Sequence, residues 1–206
     1  MSSEKFHRIG LTGGIGAGKS KVAQLLKDAG VVVFNLDDIG REVTQTNPEL
    51  AKAINATCGF SGTTVDRKKI REVLFRDPSI RAKIEALLHP LILKAFEKKS
   101  QEQERRGERL VVCEAALLVE SGFHTKLDEL LLVTAPESLR KKRLIARDHI
   151  SETLADRILN SQTKEEQKKA FAHFIIENDK DETHLKKEVE RLLERWVLAG
   201  WWKRPS

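Results

Sequence analysis

Residues 10–20 read Gly10-Leu11-Thr12-Gly13-Gly14-Ile15-Gly16-Ala17-Gly18-Lys19-Ser20, and Gly13 to Ser20 satisfy G-x-x-x-x-G-K-[ST], the pattern of a phosphate-binding P-loop. Glycine at 13, 14, 16 and 18 removes Cβ atoms that would stop the backbone from wrapping a phosphate, so successive N–H groups can turn inward as an anion nest. Lys19 supplies a fixed cation. Ser20 places a hydroxyl where magnesium bridging the β- and γ-phosphates of a nucleotide needs an oxygen, and a helix starting here aims its positive end at the same charge.

The flanks decide whether these glycines are a cradle or a turn that binds nothing. His7 to Leu11 reads as a short strand, and Val22, Ala23, Leu25, Leu26 and Ala29 fall at helical spacing, closed by Gly30 as a C-terminal cap. Val31-Val32-Val33-Phe34 is an apolar, β-branched run, expected of a parallel strand buried on both faces. It leads into Asn35-Leu36-Asp37-Asp38. Ligands of open α/β sheets lie at the carboxyl ends of strands, so these acids are expected to share an edge with the P-loop, where Asp37 or Asp38 meets a nucleophile or magnesium. The plainer reading, favoured for Asp38 alone, is a cap for a helix starting at Ile39.

From residue 47 to 103 the chain is helix-rich and holds no strong strand candidate. The patterning predicts a helix starting near Pro48 and stopping at Gly59, one from Arg67 to Phe75 capped by Asp66, and one from Pro78 to Leu88 that His89-Pro90 breaks before helix resumes at Leu91. A substrate-binding subdomain and a purely structural insert read alike here. Leu110-Val111-Val112-Cys113 is the next strand and delivers Glu114, either as a magnesium-orienting carboxylate or as an ordinary strand-end charge. Leu117-Leu118-Val119-Glu120 forms a loop, and Asp128 to Val133 a further strand. The helix opened by Ala135-Pro136-Glu137 carries Arg143 and Arg147 four apart, on one face. With residues 151–169 it forms either a lid over the nucleotide or a solvated surface. Phe174-Ile175-Ile176 is a last strand ending at Asn178-Asp179, and Leu185, Val189, Leu192, Leu193 and Trp196 stripe a terminal helix. Trp201 and Trp202 pack on the fold or form an oligomer contact.

The whole chain bounds these readings. Its 206 residues with 40% apolar content suit one domain, or one with an inserted subdomain. The start Met1-Ser2-Ser3-Glu4-Lys5 lacks signal-peptide character and no apolar run approaches a membrane span, so a cytoplasmic location and no membrane partner are expected. Cys58 and Cys113 read as free thiols, and the six histidines are scattered. Net charge is +6, but acids interleave the basic clusters and aromatics are only 5%, which argues for polyanionic small molecules and against nucleic acid.

Taken together, these stretches resemble the dephospho-CoA kinase family over nearly the whole chain. Residues 10–20 look like that family's P-loop, and Asp37 with Ile39 and Arg41, Val65-Asp66-Arg67, Val73-Leu74-Phe75, His89-Pro90, Leu117-Leu118-Val119-Glu120, Gln162 and Ile176-Glu177-Asn178 fall where the family has similar words. The resemblance implies an α/β fold: a P-loop kinase core with a parallel sheet flanked by helices, a helical substrate-binding insert and a helical lid. It places the core at about 5–60 and 108–200, the insert at about 61–107 and the lid at about 139–168. It implies phosphorylation of the ribose 3'-hydroxyl of dephospho-CoA by ATP with Mg2+, the last step of coenzyme A synthesis, in a chain for which a monomer is favoured. Lys19, Asp37, Arg143 and Arg147 would be catalytic. Gly14, Ile15, Gly16, Ala17, Gly18, Lys19, Ser20, Lys21 and Asn178 would bind ATP, with Ser20 and Glu114 on the metal. Asp37, Arg67, His89, Pro90, Leu117 and Leu118 would receive the substrate. The chain departs from the family at Asn35, usually Asp, and at Lys21, Ala116 and His173. Two rivals are a nucleoside monophosphate kinase of the same architecture and a regulatory P-loop module that binds nucleotide and nucleic acid without phosphorylating a small molecule.

Overall fold

A computed structural model describes residues 5–160 and 165–204, apart from the side chain of Phe75. Gln162 lies outside the described residues. The chain divides into two compact units, one of residues 1–34 and 103–206, the other Asn35–Glu102.

The first unit is built on strands β1 (His7–Gly13), β2 (Val33–Asn35), β3 (Leu110–Glu114), β4 (Glu129–Thr134) and β5 (Phe174–Glu177), in the order β2-β3-β1-β4-β5. β1 pairs parallel with β3 and with β4, and β4 parallel with β5. All of β3 is buried and five of six residues of β4 are, because helices cover both faces; this is why the two strands read as unbroken apolar runs. β2 differs from its expectation: each of its three residues is only half-buried. It is the sheet's edge, with no strand paired on its outer side among the described residues.

Helix α1 (Lys19–Asp28) buries Val22, Ala23 and Leu26 against the sheet, each large aliphatic contributing about 1.5–3 kcal/mol. Helices α6 (Glu137–Asp148), α7 (Glu152–Asn160) and α8 (Glu165–Lys169) follow β4, and α9 (Glu182–Leu198) follows β5 and buries the predicted stripe of Leu185, Val189, Leu192, Leu193 and Trp196. The tryptophan tail packs on the fold: Trp201 stacks on His7 at 4.1 Å between ring centres, and Trp202 is buried in the same cluster as β1 and α9. Both cysteines are free and buried, and burial pushes their thiols above the ordinary range.

The second unit holds α2 (Leu36–Thr46), α3 (Pro48–Thr57), α4 (Arg67–Arg76) and most of α5 (Pro78–Arg105). It begins well before residue 61, because Leu50, Ile54 and Cys58 of the α3 region share an apolar cluster with Ile70 and Ile84. α2 starts three residues earlier than Ile39. Asn35, not Asp38, is the cap, its side-chain oxygen accepting from the amides of Asp37 at 2.8 Å and Asp38 at 3.2 Å. Asp66 caps α4 as expected, accepting from the amides of Lys68 and Lys69. His89-Pro90 does not break α5, which runs 28 residues through it. Proline costs the helix one hydrogen bond, but Pro90 and Ala86, whose carbonyl loses its partner, are both exposed and can turn to water.

Candidate active site

β1 continues through α1 to β2 on one side, whereas β3 crosses to β4 on the other, so the topology switches between β1 and β3, the place at which open α/β sheets bind ligands beyond the carboxyl ends of their strands. Register sets the neighbours there: Leu11 lies beside Glu114, Gly13 beside Val133 and Thr134 beside Glu177. The P-loop, Glu114 and the segment after β5 therefore meet at one edge.

Glu114 is 4% exposed, and its Oε1 accepts from Ser20 Oγ at 2.9 Å while Lys19 Nζ stands 3.3 Å away. A buried carboxylate needs such partners, since an unpaired charge there is costly. The arrangement gathers hydroxyl, ammonium and carboxylate at the mouth of the glycine loop. Gly18 takes φ 98, and a Cβ on it would run into the side-chain amide of Asn178, so only glycine fits. Asn178 is buried and holds the loop from the side: its Nδ2 donates to the Ala17 carbonyl at 2.8 Å, and its own backbone N–H to Thr134. Lys21, by contrast, turns away to Glu182 at 2.9 Å, which holds that carboxyl below its usual range.

The two arginines of α6 part company. Arg143 reaches the loop, with Nη1 3.4 Å from the Gly16 carbonyl and Nη2 3.4 Å from Asn178 Oδ1. Arg147 is exposed and forks onto Asp148 at 2.7 and 2.8 Å. Shared spacing on a helix gave them one face, but a neighbouring carboxylate captures the second. Sequence reasoning passed over Arg140, which is 9% exposed, pairs with Glu165 at 3.4 Å and has no partner for Nε among the described residues. One more cation in a basic run carries no mark of burial. Of the Leu117-Leu118 pair, Leu118 is buried and packs over Gly10; only Leu117 reaches the surface.

In the second unit a cavity of about 980 Å3 is lined by Asp37 and Arg67, with Arg41, Lys68 and Arg71 as further charges over a floor that includes Ile54, Ile70 and Ile84. Asp38 is committed to Arg41, whereas the carboxylate of Asp37 has no hydrogen-bond or ion-pair partner among the described residues. His89 and Pro90 lie on α5 outside that lining.

A parallel sheet whose first strand feeds a glycine loop, with lysine and serine drawn onto one strand-end carboxylate, defines a P-loop kinase. The family model for dephospho-CoA kinase (CoaE) matches residues 7–184. The dephospho-CoA kinase of Clostridium perfringens is 34% identical over 197 residues, 93% of this chain and 98% of that one, and that of Geobacter sulfurreducens 33% identical over 188 residues, 89% and 95%. Among solved structures, TT1252 from Thermus thermophilus superposes with a TM-score of 0.80 at 31% identity, covering 97% of this chain and 100% of that one. Dephospho-CoA kinase from Campylobacter jejuni superposes at 0.71, with 23% identity, 94% and 98% covered. The chain belongs to the dephospho-CoA kinase family, transferases that phosphorylate dephospho-CoA to coenzyme A in the last step of its biosynthesis, with ATP as co-substrate.

Proposed function

We propose that this chain moves the γ-phosphoryl group of ATP in line onto the ribose 3'-hydroxyl of dephospho-CoA, with the phosphates held by residues 14–20 and the acceptor received in the cavity of the second unit. The observation that carries the reading is the convergence of Ser20 Oγ, at 2.9 Å, and Lys19 Nζ, at 3.3 Å, on the one buried carboxylate of Glu114 at the mouth of the loop. Phosphoryl transfer requires positioning and charge stabilisation more than covalent chemistry, and these groups provide both. Lys19 and the loop amides grip phosphate oxygens, and Asn178 keeps the loop in shape while bordering the adenine side.

Ser20 and Glu114 form an all-oxygen pair that fits Mg2+, which uses few protein ligands when phosphates supply the rest; bound there, it would neutralise charge on the phosphates. Asp37 orients or deprotonates the acceptor hydroxyl. Its uncommitted carboxylate faces the cavity that Arg67, Lys68 and Arg71 make basic, as a substrate carrying a diphosphate demands. Leu117, which belongs to the first unit, is proposed as a further substrate contact. His89 and Pro90 contribute through the helix and not as cavity wall. Residues 139–168 act as the lid and residues 61–102 as part of the substrate unit. No helix among the described residues is long and apolar enough to cross a membrane, and the tryptophan tail packs on the fold. We take the chain to be a cytoplasmic monomer acting on small polyanions, in keeping with its interleaved charges.

Competition tests the reading against a nucleoside monophosphate kinase: dephospho-CoA should be phosphorylated at rates that a tenfold excess of AMP or CMP leaves within about twofold. Preferential phosphorylation of the monophosphate would overturn it.

Arg143→Lys is expected to lower turnover about tenfold or more while ATP affinity stays within about threefold, since lysine keeps charge but loses the planar fork. Arg147→Lys should do less unless Arg147 leaves Asp148 during turnover. Steady-state kinetics beside calorimetric ATP titration separates the two effects.

A further inference from the structure

Lys168 is the most deeply buried charged side chain among the described residues, 1% exposed, although it sits on the five-residue helix α8. Its Nζ lies 2.8 Å from Glu120 Oε1 and 3.3 Å from the carbonyl oxygen of Ala116. That carbonyl also accepts from Thr12 Oγ1 at 3.2 Å, and the N–H of Ala115 donates to the Leu11 carbonyl at 3.1 Å. The segment leaving β3 is therefore pinned from both sides, by the last turn of β1 before the glycine loop and by a lysine from beyond α7. Two residues upstream of Ala116 is Glu114, the carboxylate on which Lys19 and Ser20 converge.

A buried ammonium is an expensive way to hold a loop, because desolvation offsets much of what its ion pair contributes and an apolar side chain of similar length would pack as well. What the charge adds is direction. An apolar residue cannot fix the orientation of the Ala116 carbonyl, and that peptide sets how the backbone leaves Glu114. We propose that Lys168, with Glu120 as its counter-ion, is a positioning residue of the phosphate site: it locks residues 115–120 so that the Glu114 carboxylate is held on Ser20 and Lys19. Its effect passes through Glu114, and the inference rests on the reading of Glu114 and Ser20 as the oxygen pair at the metal.

The test is ATP affinity by calorimetry in magnesium and in EDTA, the ratio of the two measuring how strongly metal and nucleotide binding are coupled. Full-length Lys168→Met, Glu120→Gln, Glu114→Gln and the double variant Lys168→Met/Glu114→Gln are compared with the parent, each with a melting temperature. Partners that orient a metal-binding carboxylate typically matter about 10- to 100-fold. Lys168→Met should thus lower the ratio about tenfold or more towards that of Glu114→Gln, and the double variant should fall no further than Glu114→Gln alone, since both act on one carboxylate. Glu120→Gln, which removes the charge that anchors the Lys168 ammonium, should lower the ratio in the same sense, and decides the matter if Lys168→Met does not fold. A folded Lys168→Met or Glu120→Gln with a reduced melting temperature and the parental ratio would show a structural pin only and overturn the proposal. If Glu114→Gln itself keeps the parental ratio, the metal role of Glu114 fails and the proposal falls with it, a failure distinguished by the arm in which it arises.

Discussion

Lys19→Ala should remove nearly all phosphoryl transfer, by about 100- to 1,000-fold or more, while the protein remains folded. The ammonium stands at the mouth of the loop, 3.3 Å from Glu114 Oε1. Its structural partner is Glu114, which keeps the Ser20 hydroxyl at 2.9 Å when the lysine is gone. Leaving that buried carboxylate one partner short costs about 1–3 kcal/mol, a fall of a few degrees in melting temperature. Activity and stability thus separate by a wide margin. Thermal melts beside steady-state rates give the comparison, and a variant with parental turnover would show that the loop holds no phosphate.

Asp37→Asn should lower turnover by at least about 100-fold with melting temperature and ATP affinity near parental values, because a positioned general base contributes about 100- to 10,000-fold. Asp38→Asn is the control. Asp38 is paired with Arg41 and loses only an exposed ion pair, worth about 0–1 kcal/mol, so its turnover should stay nearly intact. The structure also gives Asn35 a role that makes the experiment cleaner. Its side-chain oxygen caps α2 through the amides of Asp37 and Asp38, and aspartate caps helices about as well, so Asn35→Asp should fold normally and place a second acid beside Asp37. That variant should change magnesium dependence more than substrate affinity. An Asp37→Asn enzyme with near-parental rates at saturating substrates would transfer the role to Glu114 or to the substrate's own phosphates.

What the sequence made legible and what it hid divide along the range of the forces involved. The glycine loop, β1, β3, β4 and the stripe of α9 are announced by local periodicity and by residues that must be glycine, so they are readable without neighbours. The burial of β2 was not, since Val31 to Phe34 is equally apolar at an edge or a centre and only strand order decides. The start of α2 was misplaced because Asn35 and Asp38 are both able caps, and the helix takes the earlier one. Pro90 obeyed a local rule that an exposed helix face relaxed. At the site, Lys19, Ser20 and Glu114 lie together, whereas Arg147 is drawn off by Asp148. The anchoring of Ala116 by Thr12 and Lys168 joins residues distant in sequence and of ordinary type, so no motif could have flagged it.

The central claim is a transfer to one hydroxyl of one acceptor. Incubating the purified protein with Mg-ATP and dephospho-CoA, and following products by mass spectrometry and phosphorus NMR, should yield ADP and coenzyme A in equal amounts, with the new phosphomonoester on the ribose 3' oxygen. ADP formed without phosphorylated dephospho-CoA, or a phosphate placed on any other oxygen, would contradict the account.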